Sequence, residues 1–218
     1  MSTLLVSVLI VILAFALDLK FSSPVQLINC TARVCVLNLL WIGMFIVLQA
    51  IAKQMVAQQQ QEQRKRDKDG ETKTTTSIDN NNRSFYSICN TSSVAGLRGT
   101  PAMPAYAASK AAVLSMTVSC SKDLAPHGIR VNAVSPALIG PGYMWDRQNE
   151  LHASSGSPYF ATDPEVVAAN KISSVPMKRL GSVEEVVKSV AFLLSDESSY
   201  TTGTNLVVDG GMSSGLRC

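Results

Sequence analysis

The sequence predicts an α/β fold, a parallel sheet covered by helices, and three features of its second half carry that expectation. Residues 85–90 (FYSICN), 129–134 (IRVNAV) and 205–208 (NLVV) are short runs rich in apolar and β-branched residues, each closed by Ser, Thr, Pro, Asp or Gly. Such runs read as buried strands. Helical patterns separate them, and strand, helix, strand, helix, strand with short joints is the order that builds parallel pairs under crossover helices.

The first strand runs into Thr91, Ser92 and Ser93 and then Gly96, a loop of small residues. From Pro104 the pattern turns helical, with Ala105, Ala108, Ala112 and Met116 recurring every three to four residues as far as Leu124, where Pro126 and Gly128 stop it. Ser135 and Pro136 close the second strand. Residues 137–163 carry glycines, prolines and the aromatics Tyr143, Trp145, Tyr159 and Phe160, and read as a long loop. Loops of that length inside a domain tend to be functional, and the aromatics suggest a lid over an apolar or aromatic substrate. Ser182 and Glu185 form a capping box that opens a helix through Leu194, and the third strand ends in Asp209, Gly210 and Gly211.

The chain of 218 residues is 46% hydrophobic and 16% charged, with a formal charge of +3, enough for one domain with its own core. No basic block is long enough to bind nucleic acid. Five dispersed cysteines and only two histidines, His127 and His152, support neither a disulfide framework nor a metal site. Buried free thiols in a reducing compartment, the cytoplasm, fit that usage.

The front of the chain differs from the rest. Residues 1–33 form an atypical apolar segment ahead of a main domain at 34–218. Residues 3–17 are uncharged but short for a membrane span, and 34–52 are uncharged and long enough for one. Two readings stay open for this region: a core or interface helix, and association with a membrane. Residues 58–83 hold eleven charges, one glycine and no aromatic, and read as a disordered polar insert.

Three residues carry the chemistry. Tyr106 and Lys110 stand four apart at the start of a helix, hence on one face. An ammonium beside a phenol favours the phenolate, so the phenol can exchange a proton at working pH. Ser93 sits at a strand's carboxyl end, the edge that faces a ligand crevice in parallel sheets, where its hydroxyl can bond a substrate oxygen.

The run Asn90-Thr91-Ser92-Ser93-Val94-Ala95-Gly96, the thirteen-residue step from Ser93 to Tyr106, and Tyr106-x-Ala-Ser-Lys110 resemble the short-chain dehydrogenase/reductase family. The resemblance continues through Gly128-Ile129-Arg130-Val131-Asn132-Ala133-Val134-Ser135-Pro136 and Pro176-Met177-Lys178-Arg179-Leu180-Gly181. It ends with Val208-Asp209-Gly210-Gly211. It implies a Rossmann-like fold, N-terminally incomplete here, that binds NAD or NADP and moves hydride between nicotinamide and a small-molecule ketone or secondary alcohol. On that resemblance Tyr106 is the general acid/base, Lys110 binds the nicotinamide ribose and tunes Tyr106, and Ser93 orients the substrate oxygen. Backbone at Pro136, Ala137 and Ile139 faces the nicotinamide, although the family commonly has glycine where Ala137 stands.

The family's Gly-x-x-x-Gly-x-Gly turn, which holds the cofactor diphosphate at a helix N-terminus, has no counterpart: the first 95 residues contain only Gly43 and Gly70. Residues 43–58 look like the family's long interface helix, which implies a homo-oligomer, and Asn38 is the nearest candidate for its catalytic asparagine. Two functions therefore stand as expectations: an NAD(P)-dependent oxidoreductase, and a truncated, non-catalytic relative acting through oligomer or membrane association.

Overall fold

The strand Ile129–Pro136 (β2) lies at the centre of a three-stranded sheet because every position but the last is buried, which its apolar residues favour and its polar ones can sustain. The computed structural model describes residues 42–68 and 86–214. On one side β2 pairs in parallel with Tyr86–Thr91 (β1), Ile88 opposite Val131 and Asn90 opposite Ala133. On the other it pairs in parallel with Asn205–Val208 (β3), Val134 opposite Leu206. The order is β1-β2-β3, as the strand–helix alternation predicts.

Polar residues inside β2 are tolerated because each finds a partner. Arg130 donates to the carbonyls of Leu193 (2.8 Å) and Ser195 (2.9 Å) and to the Ser198 hydroxyl (2.8 Å). Asn132 donates to Thr201 O at 2.8 Å and accepts from Thr204 N at 3.1 Å. These bonds tie the central strand to the segment that leads into β3.

Helices follow the chain as Gly43–Lys68 (α1), Ala95–Arg98 (α2), Pro104–Leu124 (α3), Tyr143–Ala153 (α4), Pro164–Ser174 (α5) and Val183–Leu194 (α6). The α3 helix buries Ser109, Val113, Thr117 and Ser121, a stripe of small residues at i, i+4 spacing that lets it approach the sheet closely. Thr117 Oγ1 donates to Val113 O at 2.8 Å and accepts from Asn90 Nδ2 at 2.9 Å, clipping helix to strand. The capping box of α6 forms in full, Ser182 accepting from Glu185 N and Glu185 from Ser182 N. Asp163 caps α5 through Glu165 N at 2.8 Å, with Pro164 following at the first helical position.

Two sequence expectations need correction. Residues 137–163 are not one long loop, since α4 occupies Tyr143–Ala153 and buries Trp145, Asn149, His152 and Ala153 on one face. The polar stretch expected to be disordered from residue 58 is helical as far as Lys68, where α1 ends. Its Gln, Glu, Lys and Arg residues are good helix formers without any apolar stripe. The rest of that insert, the segment 1–33 and Asn38 lie outside the described residues. No described helix is long and apolar enough to cross a membrane.

Candidate active site

The carboxyl ends of the strands come level at one edge of the sheet, and hydrogen bonds carry the ladder past them. Ser92 N donates to Val134 O at 2.8 Å, Val94 N to Pro136 O at 3.3 Å and Ala137 N to Val208 O at 3.1 Å. Ser93 leaves β1 at this edge, and its Oγ accepts from Ala95 N at 3.2 Å as α2 begins. Tyr106 lies in the first turn of α3 and Lys110 in the next. The Lys110 Nζ stands 5.8 Å from the centre of the Tyr106 ring and donates to Thr91 O at 3.0 Å. That carbonyl fixes the ammonium while half-burial holds its pKa below the ordinary lysine value.

A cavity of 1030 Å³ opens at this edge, and Ser93, Tyr106, Pro136, Ala137 and Ile139 all line it. Sequence reasoning placed these five residues together, and the fold does so. Lys110 is not part of the lining; it approaches from beside the Tyr106 ring. The α3 backbone is set by a close crossing with α2. Gly96 lies so near Lys110 that a Cβ built there would sit 2.6 Å from the Lys110 carbonyl carbon. Ser92 Oγ donates to Lys110 O at 2.8 Å across the same crossing.

The second wall follows β2. Leu138 takes the left-handed conformation at φ +53°, whereas Ala137 has no positive φ. Alanine therefore meets no conformational obstacle at the position where the family commonly has glycine. Beyond it, Gly140 N donates to Gly181 O at 3.0 Å and Gly181 N to Leu138 O at 3.1 Å, so the chain through Ile139 is braced by the segment before α6.

The aromatics expected to roof the site do something else. Trp145 is 8% exposed, packs against Gly140 and carries the Lys171 ammonium 5.3 Å from its ring centre. Phe160 stacks on His152 at 4.1 Å, while Tyr143 and Tyr159 are exposed. None of these four, nor Met144, lines the cavity, so the expectation of an apolar or aromatic substrate loses its support. Gln148 of α4 lines it instead, together with Arg98, Lys178, Ser173 and Ser174. A helical reading of residues 143–153 would have presented Gln148; Arg98 and Lys178 carry no sequence signal of their own.

The group implied by the resemblance is a nicotinamide dinucleotide, and the residues present fit its reactive end. A cavity of this size has room for a nicotinamide riboside together with a small substrate, with a phenol in its lining and an ammonium beside that phenol. Among the described residues no Gly-x-x-x-Gly-x-Gly turn is available for the diphosphate, and no group of three or more His, Cys, Asp or Glu could hold a metal.

A family model described as enoyl-(acyl carrier protein) reductase matches residues 74–213. The chain is 41% identical over 126 residues to 3-oxoacyl-(acyl-carrier-protein) reductase FabG of Thermotoga maritima, covering 58% of this chain and 45% of that protein. It is 38% identical over 126 residues to 2-(S)-hydroxypropyl-CoM dehydrogenase 3 of Xanthobacter autotrophicus, covering 58% and 46%. Among solved structures, NAD+-bound xylitol dehydrogenase superposes with a TM-score of 0.69 at 44% identity, over 82% of this chain and 59% of that one. Levodione reductase gives 0.52 at 34% identity, over 59% and 46%. The chain spans about half the length of the curated relatives it matches. With its helix-flanked parallel sheet and a family match over most of its length, the chain belongs to the short-chain dehydrogenase/reductase family.

Proposed function

We propose that the chain is an NAD- or NADP-dependent oxidoreductase that interconverts a small-molecule ketone and the corresponding secondary alcohol. The observation that carries this reading is the shared cavity of Ser93 and Tyr106 with the Lys110 ammonium 5.8 Å from the Tyr106 ring. The nicotinamide, when bound, supplies or accepts the hydride.

In the reducing direction, the Ser93 hydroxyl donates a hydrogen bond to the substrate carbonyl and turns its oxygen toward Tyr106. The Tyr106 hydroxyl would give its proton to that oxygen as the carbonyl is reduced. The positive Lys110 stabilises the phenolate left behind and would hold the ribose of the bound cofactor; solvent then returns the proton. Backbone at Pro136, Ala137 and Ile139, which line the cavity, would hold the nicotinamide. The relatives' printed names support this class, since xylitol dehydrogenase and levodione reductase both name alcohol or carbonyl chemistry. Exposed Phe45, Ile46 and Ile51 on α1 and Val118 on α3 support self-association through these helices.

The test is turnover of the full chain with short ketones and secondary alcohols, followed by nicotinamide absorbance with each dinucleotide. Wild type is expected to turn over, and Ser93→Ala and Lys110→Met each to lose about 100-fold in kcat. No dinucleotide binding by the wild type, or full activity in both variants, overturns the reading.

A further inference from the structure

We propose that Arg98 and Lys178 form an oxyanion-binding pair in the catalytic cavity, so that the ligand bound beside Ser93 and Tyr106 carries a carboxylate, phosphate or sulfonate group. The inference rests on the function proposed above and names the chemistry its ligand must bring. Both side chains line the same 1030 Å³ cavity as Ser93 and Tyr106, and no carboxylate is among the described residues that line it. Among the described residues, two cationic residues thus line one cavity with no carboxylate in its lining.

Two other cations of the surface are paired with carboxylates. Arg179, next in sequence to Lys178, is neutralised by Glu185 through bonds of 2.9 and 2.7 Å. Arg147 is paired with Glu150 at 2.7 Å. Among the described residues, Arg98 and Lys178 instead donate to uncharged backbone oxygens, Arg98 to Met212 O and Lys178 to Ser173 O at 2.6 Å. Each such bond uses one donor of a five-donor guanidinium or a three-donor ammonium, which fixes the head group and leaves the remaining N–H bonds and the charge for a ligand. A guanidinium held by a backbone carbonyl, with a second cation lining the same cavity, is suited to a planar or tetrahedral oxyanion.

Lys178 also sits in the left-handed conformation at φ +55°, a place where glycine would be relaxed. That gives a clean variant: Lys178→Gly removes the ammonium while easing the backbone. Arg98→Gln keeps a donor for Met212 O and removes the charge.

The oxyanion can be the acid group of the substrate or the diphosphate of the dinucleotide, and ligand-observed NMR titration of the full chain separates the two. The probes are 3-oxobutanoate, its neutral methyl ester, NADH and NADPH. Wild type is expected to bind 3-oxobutanoate at least about tenfold more tightly than the ester, with each variant losing about fivefold for the acid and nothing for the ester. The difference shrinks as ionic strength rises past about 0.1 M. Loss confined to the dinucleotides supports the pair as a diphosphate site. Unchanged affinity for the acid and both dinucleotides in the two variants overturns the proposal. Tyr106→Phe serves as control: it slows turnover by about 100- to 10,000-fold and spares acid binding, so a wild type that binds the acid but never turns over refutes the proposed function and leaves the oxyanion pair standing.

Discussion

Replacing Gly96 by alanine tests how the site is assembled without touching a reacting group. The added methyl would meet the Lys110 carbonyl carbon at 2.6 Å, Ala111 N at 2.8 Å and Lys110 O at 2.9 Å. All three are backbone atoms of α3, so no side chain can rotate away. Normal carbon contacts begin near about 3.5 Å, and α3 must therefore withdraw from α2 by close to about 1 Å. Overpacking of this kind costs about 1–3 kcal/mol. The same withdrawal stretches the 2.8 Å bond from Ser92 Oγ to Lys110 O and carries Tyr106 and Lys110 away from Ser93. A misplacement of about 1 Å in a catalytic array lowers the rate by roughly 100-fold. Urea unfolding and kcat/KM of wild type and Gly96→Ala measure both effects. A variant with unchanged midpoint and full activity would refute the claim that the α2–α3 crossing sets the position of the catalytic pair.

Ser182→Ala removes one half of the capping box on α6 and is expected to lower stability by about 1 kcal/mol in urea titration, with kcat unchanged. His152 is 3% exposed and stacked on Phe160; burial first, and then the charge of Lys171, hold its pKa down to about 4 from an ordinary 6.5. The unfolded chain takes up a proton near 6.5 while the folded one resists until about 4, so stability is full above about 6.5 and falls as pH drops toward about 4. The loss is at most about 3 kcal/mol. Urea midpoints measured across that range should fall less steeply for His152→Leu than for wild type; equal slopes would contradict the assignment.

That Tyr106 and Lys110 stand side by side was legible in the sequence because both lie on one helix, where a spacing of four residues fixes a shared face. Ser93 was legible because a run of apolar residues ending in Ser and Gly marks a strand's carboxyl end. The α4 helix escaped because two of its four buried residues, Asn149 and His152, are polar, which breaks the apolar periodicity on which such readings rest. Only the fold shows that Asn149 is buried to accept a hydrogen bond from Lys171 at 2.7 Å. The aromatics of residues 137–163 invited a lid because exposure is invisible in sequence: Trp145 supports α4 from inside, whereas Tyr143 and Tyr159 face outward. Arg98 and Lys178 come to line one cavity through tertiary structure alone, each looking like an ordinary surface cation in the sequence.

The most direct test of the central claim, that the Tyr106 hydroxyl moves the proton on and off the substrate oxygen, is single-turnover hydride transfer in Tyr106→Phe at saturating dinucleotide. The expected result is a rate lower by about 100- to 10,000-fold with dinucleotide affinity unchanged. A phenylalanine variant that transfers hydride at the wild-type rate would contradict it.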